Sequence, residues 1–131
     1  DITIEKQPDL LAIPEYYQHS SGNFWVAFID NLLVGTIALV DIGNQQVALR
    51  KMFVGRSFRG KDFGIAQKLL KHSIQWCHQN NLKEILLGTT PQFKAAHRFY
   101  EKNNFRKIIR KNLPSSFPIM SVDKIFYQYQ I

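Results

Sequence analysis

The sequence predicts a single α+β domain built on a mixed β-sheet, and three observations lead to that prediction. Its 131 residues suit one domain and are too few for two ordinary ones. Strand-like apolar runs separated by turn residues fill the first half, and a helical spacing of apolar residues begins only at Gly64. A strand, a helix and another strand then follow, an order typical of a right-handed βαβ unit with parallel strands.

Three strands are predicted in the first half, at residues 24–30, 32–41 and 47–54, and short turns make them an antiparallel meander. The segment before them is weakly patterned, with one short helix predicted at 9–18. The sequence therefore predicts that a first strand and part of the first helical region are short or missing. Three interpretations stay open: a fragment, the C-terminal part of a longer protein, or a fold completed by a homodimer partner.

The second half alternates helices and strands. A broad apolar stripe predicts a helix at 64–80, and a short apolar run predicts a strand at 83–88. A second helix is predicted at 92–102, followed by two closing strands at 105–110 and 124–130. The predicted order is βββαβαββ over residues 1–131, with helices on both faces of the sheet.

Charge and cysteine content restrict the function. A net charge of +7 favours an anionic partner. One basic group surrounds a glycine-containing turn, and we assign it to function: Arg50, Lys51, Arg56, Arg59 and Lys61. A second basic group is assigned to the solvated surface: Arg106, Lys107, Arg110 and Lys111. The single cysteine, Cys77, excludes an internal disulfide and fits a cytoplasmic location, and no apolar run is long enough for a membrane span.

The segment 52–66 joins a strand to a helix N-terminus through a basic turn. Unpaired backbone N–H groups and the positive end of the helix dipole make such a terminus an anion site. Glycines let the backbone approach a phosphate, and Arg59 and Lys61 add charge. The alternative is an ordinary strand–helix turn, and the motif alone does not separate the two. The loop patterns typical of ATP and NAD sites are absent from the sequence.

Residues 58–66, Phe-Arg-Gly-Lys-Asp-Phe-Gly-Ile-Ala, resemble the acetyl-CoA signature Q/R-x-x-G-x-G/A of the GNAT acetyltransferases. Arg59 fills the first position of that signature and Gly64 the last, while Asp62 replaces the usual glycine. Asp62 either lies near the pyrophosphate or caps the helix. The resemblance implies acetyl-CoA as cosubstrate and no metal, with these contacts: Met52, Phe53, Val54, Arg59, Gly60, Lys61, Asp62, Phe63, Gly64 and Ile65.

A second motif, Phe-Tyr-Glu-Lys-Asn-Asn-Phe at 99–105, is similar to F-Y-E-K-x-G-F of the same family. Asn104 stands where the family usually has glycine, and asparagine tolerates a left-handed backbone well. The resemblance makes Tyr100 the general acid that protonates the departing CoA thiolate. The alternative for Tyr100 is an aromatic side chain packed in the core.

The resemblance also implies direct attack of a primary amine on the thioester. A backbone N–H of Phe53 or Val54 would stabilise the oxyanion, and a β-bulge there would free the donor. Ala48 stands where many relatives have a glutamate base, so Glu15 or a water remains a candidate. The acceptor is a small-molecule or peptide amine. The alternatives are a non-catalytic acyl-CoA-binding domain, favoured by Asp62 and Ala48, and a nucleic-acid-binding module, which no motif supports.

Several other side chains have a structural interpretation. Cys77 and Trp25 are expected in the core, and His72 and His78 lie six apart on different helix faces, which argues against a metal pair. His97 is assigned to surface or packing. Thr89 and Thr90 either touch CoA or form a polar turn.

Overall fold

The computed structural model describes residues 2–6, 22–59 and 64–131, which form one seven-stranded sheet with two helices. The strands are β1 (Ile2–Lys6), β2 (Asn23–Ile29), β3 (Leu32–Gly43), β4 (Gln46–Val54), β5 (Glu84–Thr89), β6 (Arg106–Ile108) and β7 (Ile125–Gln130). The helices are α1 (Ile65–Gln79) and α2 (Lys94–Lys102), and short 3-10 turns span Arg56–Phe58 and Arg110–Asn112. The strand order is β1-β2-β3-β4-β5-β7-β6.

The predicted antiparallel meander is confirmed, with β2, β3 and β4 pairing in turn. Asp30 and Asn31 both take positive φ, 49° and 69°, as a tight hairpin turn with the correct twist requires. The first strand, expected to be short or missing, is present and short. Ile2–Lys6 is a five-residue strand that pairs antiparallel with β2, from Ile2 opposite Ile29 to Lys6 opposite Trp25.

The predicted parallel pair is also confirmed, because β4 and β5 run parallel on either side of α1. Helix α1 packs closely on β3 because Gly35 has no side chain. A Cβ built on Gly35 would lie 2.9 Å from the Phe53 carbonyl oxygen and 3.0 Å from the Ile65 side chain. Such distances are far inside van der Waals contact, so α1 keeps its position only with glycine there.

The sheet carries an apolar cluster on each face. The first contains the buried side chains of α1 together with Tyr100 of α2, Val47 and Leu87. The second contains Ala48, Leu86 and Phe126, and Phe117 covers it from the segment between β6 and β7. Both described helices thus pack on the first cluster. The predicted helix at 9–18 lies outside the described residues. Among the described residues, helices cover one face of the sheet.

One end of the parallel pair is tied by a buried carboxylate. Glu84 Oε1 accepts a 2.5 Å hydrogen bond from Gln46 Nε2, and Glu84 Oε2 accepts from Gln128 Nε2 and, at 3.4 Å, from Gln130 Nε2. These amides belong to β4 and β7, so the carboxylate links three adjacent strands. In the described part of the chain, no helix has the length and apolar character needed to cross a bilayer.

Candidate active site

The two parallel strands separate toward their carboxyl ends. Pairing between β4 and β5 stops at Ala48 opposite Leu86, although β4 continues to Val54 and β5 to Thr89. The resulting opening, here called the strand cleft, is a pocket of about 240 Å³. Its walls come from β4, β5, α2 and the segment before β7: Leu49, Arg50, Lys51, Met52, Leu87, Gly88, Thr89, Thr90, Phe93, Ala96, Tyr100, Phe117, Met120, Val122 and Asp123.

A β-bulge shapes the β4 wall of the strand cleft. Ala38 lies opposite Arg50 and Thr36 opposite Phe53, so β4 carries one residue more than β3 between these pairs. Lys51 takes a left-handed backbone with φ of 55°, and its carbonyl accepts a 2.6 Å hydrogen bond from Thr36 Oγ1. β4 therefore carries a bulge at Lys51 and Met52, immediately before the predicted oxyanion donors Phe53 and Val54. Met52 and Val54 are half-buried, whereas Phe53 is 55% exposed.

The loop from β4 to α1 is described only at its two ends. Arg59 is exposed, and its Nε donates a 2.9 Å hydrogen bond to the Val54 carbonyl, which holds the guanidinium beside the end of β4. The predicted contacts Gly60, Lys61, Asp62 and Phe63 lie outside the described residues.

At the other end of this loop, Gly64 is the N-cap residue of α1, with φ of 62°, and Ile65 is buried in the first cluster. The N-cap position of α1 thus belongs to Gly64, and Asp62 lies outside the described residues. The first turn of α1 contains no acidic side chain. Its free N–H groups thus meet no competing negative charge from that turn.

Tyr100 is 6% exposed and lines the strand cleft. Its ring packs against Phe105 and Tyr127, at centroid distances of 5.4 Å and 5.9 Å. Within residues 2–6, 22–59 and 64–131, the Tyr100 hydroxyl has no hydrogen-bond partner, yet it is not sealed in the core. Burial raises the pKa of Tyr100 to about 12, so the hydroxyl keeps its proton at neutral pH.

The turn after α2 holds this tyrosine in place. Asn104 takes the left-handed backbone expected of it, with φ of 72°, and Phe105 N donates to the Tyr100 carbonyl at 3.0 Å. Tyr127 Oη donates a 2.6 Å hydrogen bond to Glu101 Oε2, which ties α2 to β7. Burial first, and then Glu101, raise the pKa of Tyr127 to about 12.

Ala48 is fully buried in the second cluster, so β4 supplies no carboxylate at the position where a glutamate was sought. Glu15 lies outside the described residues. Sequence reasoning missed Asp123, the one acidic residue among the described residues that line the strand cleft. Its carboxylate packs over Gly88, and its Oδ2 accepts a 3.0 Å hydrogen bond from Met120 N. No sequence motif marks it.

The structural interpretations of Cys77, Trp25 and His97 are confirmed. Cys77 is fully buried, which raises the pKa of its thiol to about 12 and leaves it unreactive. Trp25 lies in the core, in edge-to-face contact with Trp76. His97 Nε2 bonds the Thr90 carbonyl at 2.8 Å.

Two further features lie away from the strand cleft. In the described ranges no three His, Cys, Asp or Glu side chains are grouped as metal ligands. A second pocket of about 280 Å³, beside β1 and α1, contains none of the predicted site residues.

Comparisons with known proteins identify the family of this fold. The acetyltransferase (GNAT) family model matches residues 3–105. An acetyltransferase of the GNAT family from Staphylococcus aureus Mu50 superposes with a TM-score of 0.92, at 34% identity and over 99% of both chains. A GNAT acetyltransferase from Elizabethkingia anophelis, solved with acetyl-CoA bound, shares the fold at 21% identity and a TM-score of 0.73, over 99% of this chain and 98% of that one.

Among curated sequences, N-acetylaspartate synthetase of Danio rerio is 38% identical over 102 residues, which cover 76% of this chain and 36% of that protein. The same enzyme of Xenopus tropicalis is 32% identical, over 92% of this chain and 45% of that protein. The chain thus spans less than half the length of these relatives. On the family match and the close structural neighbour, it belongs to the GNAT family of acetyltransferases.

Proposed function

We propose that this protein transfers the acetyl group of acetyl-CoA to a primary amine by direct attack of the amine on the thioester. One observation carries the proposal: Tyr100, whose protonated hydroxyl has no hydrogen-bond partner among the described residues, lines a cleft that opens where β4 and β5 diverge. An aromatic side chain kept only for packing would place its hydroxyl against a protein partner, as Tyr127 does with Glu101. A cytoplasmic location, consistent with the reduced and buried Cys77, is part of the same proposal.

The residues present fit acetyl-CoA. The bulged end of β4 offers backbone groups of Met52, Phe53 and Val54 along a wall that β5 does not pair. The segment from Arg59 to Ile65 would hold the pyrophosphate, through the guanidinium and the N–H groups of the first α1 turn. Bound there, acetyl-CoA supplies an acetyl thioester that a neutral amine attacks.

Two groups of the chain would act during transfer. A backbone N–H of Phe53 or Val54 stabilises the negative charge that builds on the carbonyl oxygen. Tyr100, which is protonated at neutral pH, donates its proton to the departing sulfur as the C–S bond breaks. The amine loses its own proton to solvent or to a nearby base, and the products are the amide and CoA.

The acceptor we propose is an amino acid or a similar small molecule that carries a carboxylate beside its amine. Arg50 and Lys51 line the strand cleft and place two positive charges next to the proposed reaction centre. The N-acetylaspartate synthetases among the relatives are named for an acidic amino acid product. Two cations near the cleft suit such an acceptor better than a polyamine, which they would repel.

The experiment is a CoA-release assay with purified protein, acetyl-CoA and a panel of amines: acidic, neutral and basic amino acids, simple monoamines and polyamines. We expect thiol release that depends on the amine and is fastest with acidic amino acids. Tight binding of acetyl-CoA with no turnover of any amine would instead establish a non-catalytic acyl-CoA-binding domain, the alternative that Ala48 favours. Turnover restricted to polyamines would reject the acceptor class but keep the reaction.

A further inference from the structure

Asp123 is a buried carboxylate that the proposed chemistry leaves without a role. Among the described residues, Glu84 and Asp123 are the two acidic side chains classed as buried. Burying a carboxylate is costly unless hydrogen bonds or an opposite charge compensate it. Glu84 is compensated by the amides of Gln46, Gln128 and Gln130. Asp123 is compensated much less.

The side-chain hydrogen bond of Asp123 uses one of its two carboxylate oxygens. Its Oδ2 accepts from Met120 N at 3.0 Å, and its own N–H donates to the Met120 carbonyl at 3.0 Å, so the residue closes a turn before β7. In the described part of the chain, Oδ1 has no hydrogen-bond partner, and it is not sealed from solvent. Since Asp123 lines the strand cleft, this oxygen is available there.

Gly88 fixes how close the carboxylate comes to β5. A Cβ built on Gly88 would lie 2.7 Å from Asp123 Oδ2 and 2.8 Å from its Cγ, so the carboxylate rests directly on the strand. Side chains alternate along β5: Leu87 packs in the first cluster with Tyr100, and Leu86 packs in the second with Phe117. Gly88 has the parity of Leu86. Asp123 therefore approaches β5 from the side opposite Tyr100.

We infer that Asp123 binds the ammonium group of the acceptor amine and holds it at the face of the strand cleft opposite Tyr100. The inference rests on the proposed acetyl transfer and names the residue that receives the acceptor. A primary alkyl amine is mostly protonated at neutral pH, so it arrives as a cation, and it loses one proton to solvent or to a nearby base before it attacks the thioester. The buried ring of Phe117 lines the same cleft, and such apolar walls lower the local dielectric and strengthen the attraction. Arg50, on the β4 wall, would then face the acceptor's own carboxylate.

The test uses Asp123→Asn, because the asparagine oxygen still accepts from Met120 N while the charge is removed. Its matched control is Asp41→Asn. Asp41 Oδ1 likewise accepts a backbone N–H, from Gly43 at 2.8 Å, near the end of β3 and outside the lining of the strand cleft. A second variant, Gly88→Ala, adds a methyl group on β5 that displaces the Asp123 carboxylate, while Asp123 itself is unchanged.

We expect Asp123→Asn to raise the KM of the best acceptor about 10- to 100-fold, the usual effect of losing a hydrogen bond to a charged group. The Kd of acetyl-CoA and the melting temperature should stay close to wild type. Gly88→Ala should raise the same KM, and Asp41→Asn should leave it unchanged. If the wild type turns over its acceptor but a folded Asp123→Asn protein has an unchanged acceptor KM, this inference is overturned. The proposed function then stands. Absence of turnover of every amine by the wild type would reject the proposed function, and this inference with it.

Discussion

The rings of Tyr100 and Tyr127 pack at a tilt of 45° with centroids 5.9 Å apart, and within the described ranges only the Tyr127 hydroxyl of the two has a protein partner. Both rings are buried, so burial alone does not distinguish them. The hydrogen bond distinguishes them. The Tyr127 hydroxyl is bonded to Glu101 and joins α2 with β7, whereas the Tyr100 hydroxyl is available to a ligand. The pair therefore supplies an internal comparison of a structural tyrosine with a proposed catalytic one.

Replacing Tyr100 with phenylalanine should lower kcat about 100-fold, near the low end of what a positioned general acid contributes. The acetyl-CoA Kd should hardly change, since the hydroxyl is needed only as the C–S bond breaks. Steady-state kinetics with the best acceptor, together with calorimetric titration of acetyl-CoA, measures both quantities. Wild-type kcat in the folded variant would remove Tyr100 from the mechanism.

Tyr127→Phe is the matched control and should show the reverse pattern. Loss of its hydrogen bond leaves Glu101 without this donor and should reduce the free energy of unfolding by about 1 kcal/mol. Its kcat should stay within a few-fold of wild type. Urea unfolding and the same kinetic assay measure these two quantities. If Tyr127→Phe lost as much kcat as Tyr100→Phe, altered packing would explain the loss of kcat in both variants.

Stability should fall at high pH, through both tyrosines. Folding raises the pKa of each from an ordinary value near 10 to about 12, so the folded state holds these protons more tightly. The contribution is complete below pH 10 and is lost as pH rises toward 12. Urea midpoints at pH 9, 10 and 11 should decline for wild type and decline less steeply for Tyr100→Phe. Equal slopes would contradict the raised pKa of Tyr100.

Acetyl-CoA should raise the melting temperature, because it binds the folded state; at 100 times its Kd the stabilisation is about 2.7 kcal/mol. Arg59→Glu should largely abolish the shift by placing a negative charge where we propose the pyrophosphate. Arg106→Glu makes the same charge change at an exposed position on β6 and should preserve it. Equal shifts in the two variants would move the phosphate site away from Arg59.

Glu84→Ala should destabilise the fold and leave the chemistry intact. The change removes the acceptor of the Gln46 and Gln128 amides and should cost roughly 1–3 kcal/mol of unfolding free energy. The carboxylate lies at the paired end of β4 and β5, so the acetyl-CoA Kd should remain at its wild-type value. A weakened Kd with unchanged stability would assign Glu84 to the site.

Most elements could be predicted because each carries a local signal. The apolar stripe of α1 and the alternation in β2, β3 and β4 gave their bounds to within two residues. Strand β1 was missed because five residues give a short pattern, and its partner β2 begins 17 residues after β1 ends, so only tertiary pairing stabilises it.

The site was predictable where it depends on backbone motifs and not where it depends on contacts across the sheet. Tyr100, Asn104 and the glycine at position 64 belong to contiguous patterns. Asp123 meets Gly88 from 35 residues away, and no spacing rule connects a turn before the last strand to the carboxyl end of an earlier one. The stretch of β4 that β5 does not pair could not be predicted either, because the sequence of a strand does not tell where its neighbour diverges.

Because the pairing of β4 with β5 ends early, hydrogen exchange of the β4 backbone amides should report whether acetyl-CoA is bound. Amides at 46–48 are held in parallel pairing, whereas the β5-facing amides from Leu49 to Val54 have no strand beside them. Amides that face a water-filled gap exchange their hydrogen with solvent much faster than paired ones. Deuterium uptake along this single strand should therefore be uneven without ligand and should become nearly uniform once acetyl-CoA fills the gap, so one peptide follows binding with no need of an acceptor.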